Sequence, residues 1–257
     1  MKSVNEIASA FREAGDRDLQ ELIEIYQEDS RKGVRKLVES ARKRLERLEA
    51  EISRIESLCY YEKKHSDYDY ICGIDEVGRG PLAGPVVAGA VILPKDCRIL
   101  FINDSKKLSP ARREELYDEI WEKALSVGFG VVSPARIDEI NILNATYEAM
   151  RDAISALSVK PGILLNDAVT IPGVTIPQVP IIKGDAKSIS IGAASIMAKV
   201  YRDRMMVEYD SLFPGYAFAS NKGYGSKEHM EALKRLGPCP IHRRSFIGGI
   251  VNTIPDD

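Results

Sequence analysis

The sequence lacks the features that mark disulfide-rich, zinc-binding and membrane-spanning proteins. Its four cysteines are far apart in 257 residues and form no Cys-x-x-Cys pair, which argues against a zinc site or a disulfide framework. No apolar run approaches the roughly 20 residues that a membrane-spanning helix needs. The first segment has mixed charge and does not have the pattern of a signal peptide. We therefore expect a cytoplasmic protein without a membrane partner.

The chain also has no excess of positive charge. It carries 36 lysines and arginines against 38 aspartates and glutamates, for a net charge of −2. A nucleic-acid partner must therefore be argued from local patches and not from overall charge. With 44% hydrophobic and 29% charged residues, the composition is typical of a folded protein with a substantial core.

Charged residues are concentrated at the start of the chain, where they make up 43% of residues 1–68 and only 24% of the rest. We expect a helical N-terminal extension over residues 1–69 and a second domain over residues 70–257. The extension has a heptad pattern in its second half, formed by Val34, Val38, Ala41, Leu45, Leu48, Ile52, Ile55 and Cys59. With Gly33 as a turn, this half is expected to fold back on residues 4–28 or on the main domain. Pairing with another chain is the alternative, and we expect a monomer.

From residue 70 onward, short apolar segments alternate with helical ones. Strands are predicted over residues 70–74, 86–93, 129–132, 163–166 and 179–183. Helices are predicted over residues 110–127, 142–156, 189–212 and 227–236. This order indicates an α/β domain with a mixed sheet flanked by helices, preceded by the all-α extension.

Three of the predicted strands lead directly into carboxylates. The four acidic residues at these strand ends are Asp75, Glu76, Asp167 and Asp185. Adjacent carboxylates at the end of a buried strand repel one another, and a cation would relieve both the repulsion and the cost of burial. Because the edge of an α/β sheet brings strand ends together, we predict a site for two divalent metal ions, Mn²⁺ or Mg²⁺, suited to phosphoryl transfer.

Each of these features also has a simpler interpretation. An Asp-Glu pair is often an exposed acidic turn, and Asp185 could merely cap the helix that follows it. Asp203 is a further candidate for a catalytic acid, although it could instead form an ion pair with Arg202. The glycines over residues 78–84 match a dinucleotide-binding loop only loosely, because a β-rich segment follows where that motif needs a helix.

Local positive charge and one aromatic residue favour a polyanionic partner. Residues 221–244 hold six lysines and arginines against two glutamates. Within this segment Tyr224 lies between two glycines, where an exposed ring can stack on a sugar or a base. Lys106 and Lys107 form another short basic turn. Each feature alone is as often a solvated surface, but beside a cluster of acids they favour chemistry on a polyanion.

The segment over residues 73–87 resembles the signature of the ribonuclease HII family, the type 2 ribonucleases H. Further blocks match in order over residues 103–108, 137–142, 184–188, 198–205, 222–225 and 242–246. The resemblance implies a ribonuclease H-like fold and an endoribonuclease that hydrolyses the RNA strand of RNA–DNA hybrids. It also implies incision 5′ of single ribonucleotides in duplex DNA, leaving 5′-phosphate and 3′-hydroxyl ends. No small organic cofactor is implied.

The resemblance further implies a role for each matched residue. The metal-binding catalytic carboxylates would be Asp75, Glu76, Asp167 and Asp185, with Asp75 between the two ions. The residues that contact substrate would be Gly78, Arg79, Gly80, Lys106, Lys107 and Tyr224. Among these, the glycine-flanked main chain would read the 2′-hydroxyl at an RNA–DNA junction, the tyrosine would stack on the next deoxyribose, and the lysines would contact phosphate.

The chain departs from the family pattern at two places. Many members have Val-Asp-Gly where this chain has Asn166-Asp167-Ala168, and Gly192 replaces the usual alanine. The acid is retained, and the departure affects only the local turn.

A two-metal nuclease with another substrate, such as a junction resolvase or an exonuclease, would leave Tyr224 without a role. A non-catalytic nucleic-acid-binding module would not need all four acids.

Overall fold

The computed structural model describes residues 2–251. Residue 1 and residues 252–257, which belong to the two predicted domains, lie outside the described residues. The chain divides into two compact units, Met1–Glu56 and Ser57–Asp257. The predicted boundary between residues 69 and 70 lies inside the second unit, which includes the short helix α4 (Tyr60–Lys64).

The first unit is helical. It contains α1 (Val4–Glu13), α2 (Asp16–Tyr26) and most of α3 (Lys32–Leu58). Seven buried apolar side chains from all three helices pack together: Ile7, Phe11, Leu19, Ile23, Val34, Val38 and Ala41. The first half of the heptad pattern therefore packs against α1 and α2, which confirms that the two amphipathic segments fold back on each other.

The turn between these segments is not where the sequence analysis placed it. Gly33 lies inside α3, so the prediction of a turn there is wrong. The chain reverses before it, where Asp29 Oδ1 accepts hydrogen bonds from the main-chain N–H of Arg31 at 2.9 Å and from its Nε at 3.0 Å. An aspartate that bonds the backbone two residues further on makes a turn without any glycine.

The second unit contains a five-stranded mixed sheet. Its strands are β1 (Ile71–Val77), β2 (Val86–Ile92), β3 (Ser126–Val132), β4 (Ile163–Asp167) and β5 (Gln178–Ile181), in the order β3-β2-β1-β4-β5. The central strand β1 is antiparallel to β2 and parallel to β4, and β5 is parallel to β4. The prediction of an α/β domain with a mixed sheet is confirmed.

Helices cover this sheet and extend beyond it. They are α5 (Pro110–Lys123), α6 (Pro134–Ser155), α7 (Ile189–Leu212), α8 (Phe218–Asn221), α9 (Lys227–Leu236) and α10 (Arg244–Ile247). Two 3₁₀ helices span Ser105–Lys107 and Gly184–Ala186. The predicted bounds of α7 and α9 are confirmed.

The other two predicted helices have the wrong bounds. The first ends at Lys123 and not at residue 127, because β3 already begins at Ser126. The second begins at Pro134 and is kinked at Asn141, which has a φ of 66°, so the predicted start at residue 142 gave only the part after the kink. The missed start has the same Ser-Pro cap as α5, with the side chain of Ser133 accepting from the N–H of Arg136.

Helix α7 packs unusually close to β1. A Cβ atom at Gly73 would lie 2.1 Å from the carbonyl carbon of Ser190, a distance that no side chain tolerates. The first half of α7 consists mostly of small and branched residues that are buried. This close packing fixes the start of α7 beside the strand that carries Asp75.

Candidate active site

The four predicted carboxylates lie at one edge of the sheet because three neighbouring strands run parallel. In the pairing of β1 with β4, Ile74 lies opposite Asn166, so Asp75 and Asp167 are the next residues of the two strands. Asp167 in turn lies opposite Ile181, the last residue of β5. The chain then enters the 3₁₀ helix that carries Asp185.

The surroundings of Asp75 and Glu76 disfavour the ionised forms of their side chains. Asp75 is only 7% exposed, and its Oδ1 accepts the main-chain N–H of Glu76 at 2.8 Å. Burial, followed by the negative charge of Glu76, raises the pKa of Asp75 well above its ordinary value. Burial also raises the pKa of Glu76, although Arg79, 3.3 Å away, opposes this.

Asp167 and Asp185 are held together by the turn between them. Asp167 Oδ1 accepts the main-chain N–H of Gly184 at 2.7 Å, which ties the end of β4 to the segment that carries Asp185. Burial and the charges of Asp104 and Asp167 raise the pKa of Asp185. The cap of α7 is Ser188, whose side chain accepts from Ile191 N, so Asp185 does not have the simpler capping role.

The donor set fits divalent cations. Within residues 2–251, no group of three or more histidine, cysteine or acidic side chains is already arranged to hold a metal ion. Three of the four carboxylates nevertheless have raised pKa values, for Asp75, Glu76 and Asp185, caused by burial and by neighbouring acids. A bound divalent ion would offset both effects by stabilising the charged carboxylates, and carboxylate oxygens are the ligands that hard cations prefer.

Two residues beside the carboxylates were missed by the sequence analysis. Asp104 lies close enough for its charge to raise the pKa of Asp185, although its segment had been interpreted only as a basic turn. Ser195, in α7, contacts Asp75 and lowers its pKa, and the Ser195 hydroxyl lies 3.0 Å from that of Ser105. Asp104 could have been identified from the sequence, because it is an acid near the basic pair Lys106 and Lys107. Nothing in the sequence distinguished Ser195 from its small neighbours.

Four of the six predicted substrate-contacting residues, Gly78, Arg79, Gly80 and Tyr224, lie on two loops that are side by side. The loop of Gly78, Arg79 and Gly80 directly follows β1. A Cβ atom at Gly80 would lie 4.0 Å from Cε1 of Tyr224, whose side chain is 42% exposed. The N–H of Leu82 donates to the carbonyl of Gly223 at 2.8 Å and joins the two loops.

The two predicted lysines lie on the carboxylate side of this arrangement. Lys106 and Lys107 are exposed on the 3₁₀ helix Ser105–Lys107, and the charge of Lys106 reaches Asp185. The helix is capped by Asp104, whose side chain accepts the N–H of Lys106 at 2.9 Å.

Arg202 and Asp203 do not form the ion pair that the sequence suggested. Asp203 pairs with Lys199 at 2.8 Å. Arg202 is fully buried and donates to the carbonyls of Pro85 and Ala83, and to that of Lys222 at 2.9 Å. A helical side chain at the next position points about 100° away, which explains why the adjacent residues have different partners.

Comparison with known proteins decides the family. Residues 72–248 match the sequence model described as Ribonuclease HII, and residues 3–66 match that of the Ribonuclease HII N-terminal domain. The chain belongs to the ribonuclease HII family. The ribonuclease HII of Lachnoclostridium phytofermentans is 64% identical over 97% of this chain and 98% of its own length. That of Clostridioides difficile is 51% identical over 97% of this chain and 99% of its own length.

A solved structure supports the same assignment. Ribonuclease H2 from Pyrococcus horikoshii is 28% identical, with a TM-score of 0.60, over 71% of this chain and 97% of that structure. The chain is therefore a metal-dependent endoribonuclease that acts on RNA–DNA hybrids, and the hypothesis of a non-catalytic binding module is wrong. None of the helices over residues 2–251 has the length and apolar character needed to cross a bilayer.

Proposed function

We propose that the protein also incises 5′ of single ribonucleotides in duplex DNA, by a two-metal-ion hydrolysis that leaves 5′-phosphate and 3′-hydroxyl ends. The observation that carries this proposal is the juxtaposition of two parts. Four carboxylates at one sheet edge would supply the chemistry, and β1 leads directly from Asp75 and Glu76 into a glycine-flanked loop beside Tyr224. A cleavage centre and a junction-reading element would thus be joined by a few residues.

Asp75, Glu76, Asp167 and Asp185 would hold the divalent ions, Mn²⁺ or Mg²⁺. When bound, the ions lower the pKa of the attacking water and neutralise charge on the scissile phosphate. The chain itself fixes the ligands in place. The N–H of Glu76 and the hydroxyl of Ser195 orient Asp75, and the N–H of Gly184 orients Asp167.

The loops beside the carboxylates would select the ribonucleotide. A 2′-hydroxyl is the group that distinguishes RNA from DNA, and main-chain N–H groups can reach it where no side chain intervenes. Gly78, Arg79 and Gly80 would supply these donors, and the ring of Tyr224 would stack on the deoxyribose that follows. Lys106 and Lys107 would contact phosphate on the carboxylate side.

The test of this selection is Tyr224→Ala, compared with Tyr60→Ala, which removes another exposed tyrosine, on α4. We expect Tyr224→Ala to lower incision at a single ribonucleotide by about 10-fold, because it removes the stacking contact with the sugar, and comparable stacking on a base contributes about 1–3 kcal/mol. Tyr60→Ala should cut like the parent. Equal rates for the parent and Tyr224→Ala would contradict the role of the tyrosine, and cutting of an all-DNA duplex would favour a nuclease with another substrate.

A monomeric state and a cytoplasmic location are further predictions. The packing of the first half of the heptad pattern inside the N-terminal unit supports the monomer. Light scattering at increasing protein concentration should give a constant mass of 28.5 kDa. A dimer mass that returns to the monomer when Leu48 and Ile52 are replaced by glutamate would contradict it.

A further inference from the structure

Arg243 is a buried cation without a buried anion. It is 0% exposed, and among the described residues no carboxylate forms an ion pair with it. Burial, followed by the charge of Arg202, lowers the pKa of Arg243 to about 9. Burying a guanidinium is costly unless its N–H groups donate hydrogen bonds, so the acceptors of these bonds indicate the role of Arg243.

The acceptors are main-chain carbonyls of the glycine-flanked loop and its neighbour. Nη2 of Arg243 donates to the carbonyl of Gly78 at 2.5 Å, and Nη1 donates to that of Arg79 at 2.9 Å. The carbonyl of Gly84 accepts from both Nε at 3.0 Å and Nη2 at 2.8 Å. The planar guanidinium of Arg243 therefore binds two consecutive peptide units, 78–79 and 79–80, from the interior of the protein.

Peptide planarity determines where the other side of these units points. In a trans peptide the C=O of one residue and the N–H of the next lie in one plane and point in opposite directions. Holding the carbonyls of Gly78 and Arg79 inward thus turns the N–H groups of Arg79 and Gly80 outward. Over residues 2–251 neither N–H has an acceptor, and Gly80 is exposed and adjacent to Tyr224.

We propose that Arg243 is a positioning residue for ribonucleotide recognition, which holds the loop so that the N–H groups of Arg79 and Gly80 donate to a 2′-hydroxyl. The inference rests on the proposed function, and it adds a residue outside the loop that fixes the donor geometry. A lysine at position 243 would keep the charge, but a single ammonium cannot reproduce the planar fork that spans three carbonyls.

The test measures the binding preference for a ribonucleotide, independently of cleavage. In an Asp75→Asn background, which prevents cleavage, affinity is measured for a duplex with one ribonucleotide and for the same all-DNA duplex. We expect Arg243→Lys to reduce the ratio of the two affinities by about 10-fold, with little change for all-DNA. Arg151→Lys is the matched control, since Arg151 also donates to a carbonyl, that of Pro172. A general loss of folded protein would lower the active fraction but not change this ratio.

A second measurement needs no variant at position 243 and covers the case in which that variant does not fold. Amide hydrogen exchange at Arg79 and Gly80 should be fast in the free protein. It should slow when the Asp75→Asn protein binds the ribonucleotide duplex, and not when that protein binds all-DNA. An unchanged ratio in folded Arg243→Lys, or slow exchange in the free protein, would overturn the inference alone. Failure of the parent to incise at a ribonucleotide would overturn the proposed function as well.

Discussion

At the scale of single residues, the proposed active site lowers the stability of the fold. Asp75 is buried beside two other acids, and Arg79 and Lys106 only partly offset the acidic charge at the sheet edge. Functional sites commonly hold such groups at the expense of stability. The resulting loss of stability should be measurable when divalent ions are removed.

Replacing Asp75 with asparagine should therefore stabilise the metal-free protein while abolishing cleavage. In EDTA we expect the free energy of unfolding to rise by about 1 kcal/mol, because the substitution removes a buried, repelled charge. Added Mn²⁺ should stabilise the parent by mass action and Asp75→Asn much less. Thermal melts with and without Mn²⁺ measure both effects. A destabilised Asp75→Asn protein that responds to Mn²⁺ like the parent would contradict the proposed ligand role.

Two buried histidines form a hydrogen-bonded chain that ends at the main-chain carbonyl of Tyr224. His229 Nδ1 lies 2.9 Å from the carbonyl of Tyr224, which can only accept, so this nitrogen carries the proton. His229 Nε2 then accepts from His242 Nε2 at 3.0 Å. His242 Nδ1 accepts the main-chain N–H of Cys239 at 3.0 Å. Both rings are thus neutral, with assigned tautomers.

The pair predicts how stability depends on pH. Burial, followed by the proximity of His229, lowers the pKa of His242 to about 4, below the ordinary 6.5. Between these values this histidine binds more protons in the unfolded chain, so its contribution to the free energy of unfolding should rise with pH and level off above about 6.5. Urea unfolding at several pH values measures this slope. His242→Gln should flatten it, and an unchanged slope in that variant would contradict the assignment.

At the scale of elements, the site depends on how closely α7 approaches β1. Since a Cβ atom at Gly73 would meet the backbone of Ser190 at 2.1 Å, neither element can yield by moving a flexible side chain. Gly73→Ala should cost about 2 kcal/mol or more of stability, as overpacking against backbone does. Gly248→Ala, where a Cβ atom meets nothing within 4 Å, should stay within about 0.5 kcal/mol. Chemical denaturation of both variants tests this, and equal stabilities would contradict the close packing.

The sheet and its carboxylates were predictable because their signals are local. An apolar run that ends in an acid predicts a strand end, and the order of strands and helices predicts a mixed sheet. The errors arose where a local signal misleads. Gly33 was interpreted as a turn but is tolerated inside α3, and Asn141 interrupts α6 with a positive φ that asparagine can adopt.

The supporting contacts of the site were not predictable from the sequence. Ser195 contacts Asp75 across an interface between α7 and β1, and Arg243 reaches carbonyls far from it along the chain. Such contacts depend on tertiary packing, and no spacing rule along one chain encodes them. The expected ion pair of Arg202 with Asp203 failed for a different reason, because adjacent residues of a helix point about 100° apart and have different partners.

At the scale of the whole molecule, a net charge of −2 requires that binding to nucleic acid comes from local contacts. The exposed lysines of the 3₁₀ helix Ser105–Lys107 lie at the carboxylate edge of the sheet. Lys160, by contrast, precedes the start of β4 and thus lies at the opposite edge. Comparing a variant at Lys106 with one at Lys160 therefore distinguishes a specific phosphate contact from a general effect of charge.

Replacing Lys106 with alanine should reduce the salt dependence of duplex binding. A lost phosphate contact lowers the slope of log K against log salt by about 0.9. Lys160→Ala should leave the slope unchanged. Affinity for a duplex with one ribonucleotide, measured at several salt concentrations in the Asp75→Asn background, gives the slopes. Equal slopes for the parent and Lys106→Ala would contradict the phosphate contact.

The most direct test of the account is cleavage of a labelled DNA duplex that carries one ribonucleotide, with Mn²⁺, with Mg²⁺ or with EDTA, on a denaturing gel. We expect a metal-dependent cut on the 5′ side of the ribonucleotide, 3′-hydroxyl and 5′-phosphate ends, and no cut in the all-DNA duplex. Cleavage of a long RNA–DNA hybrid without any cut at the single ribonucleotide would contradict the proposed reading of the junction by the loop of Gly78, Arg79 and Gly80.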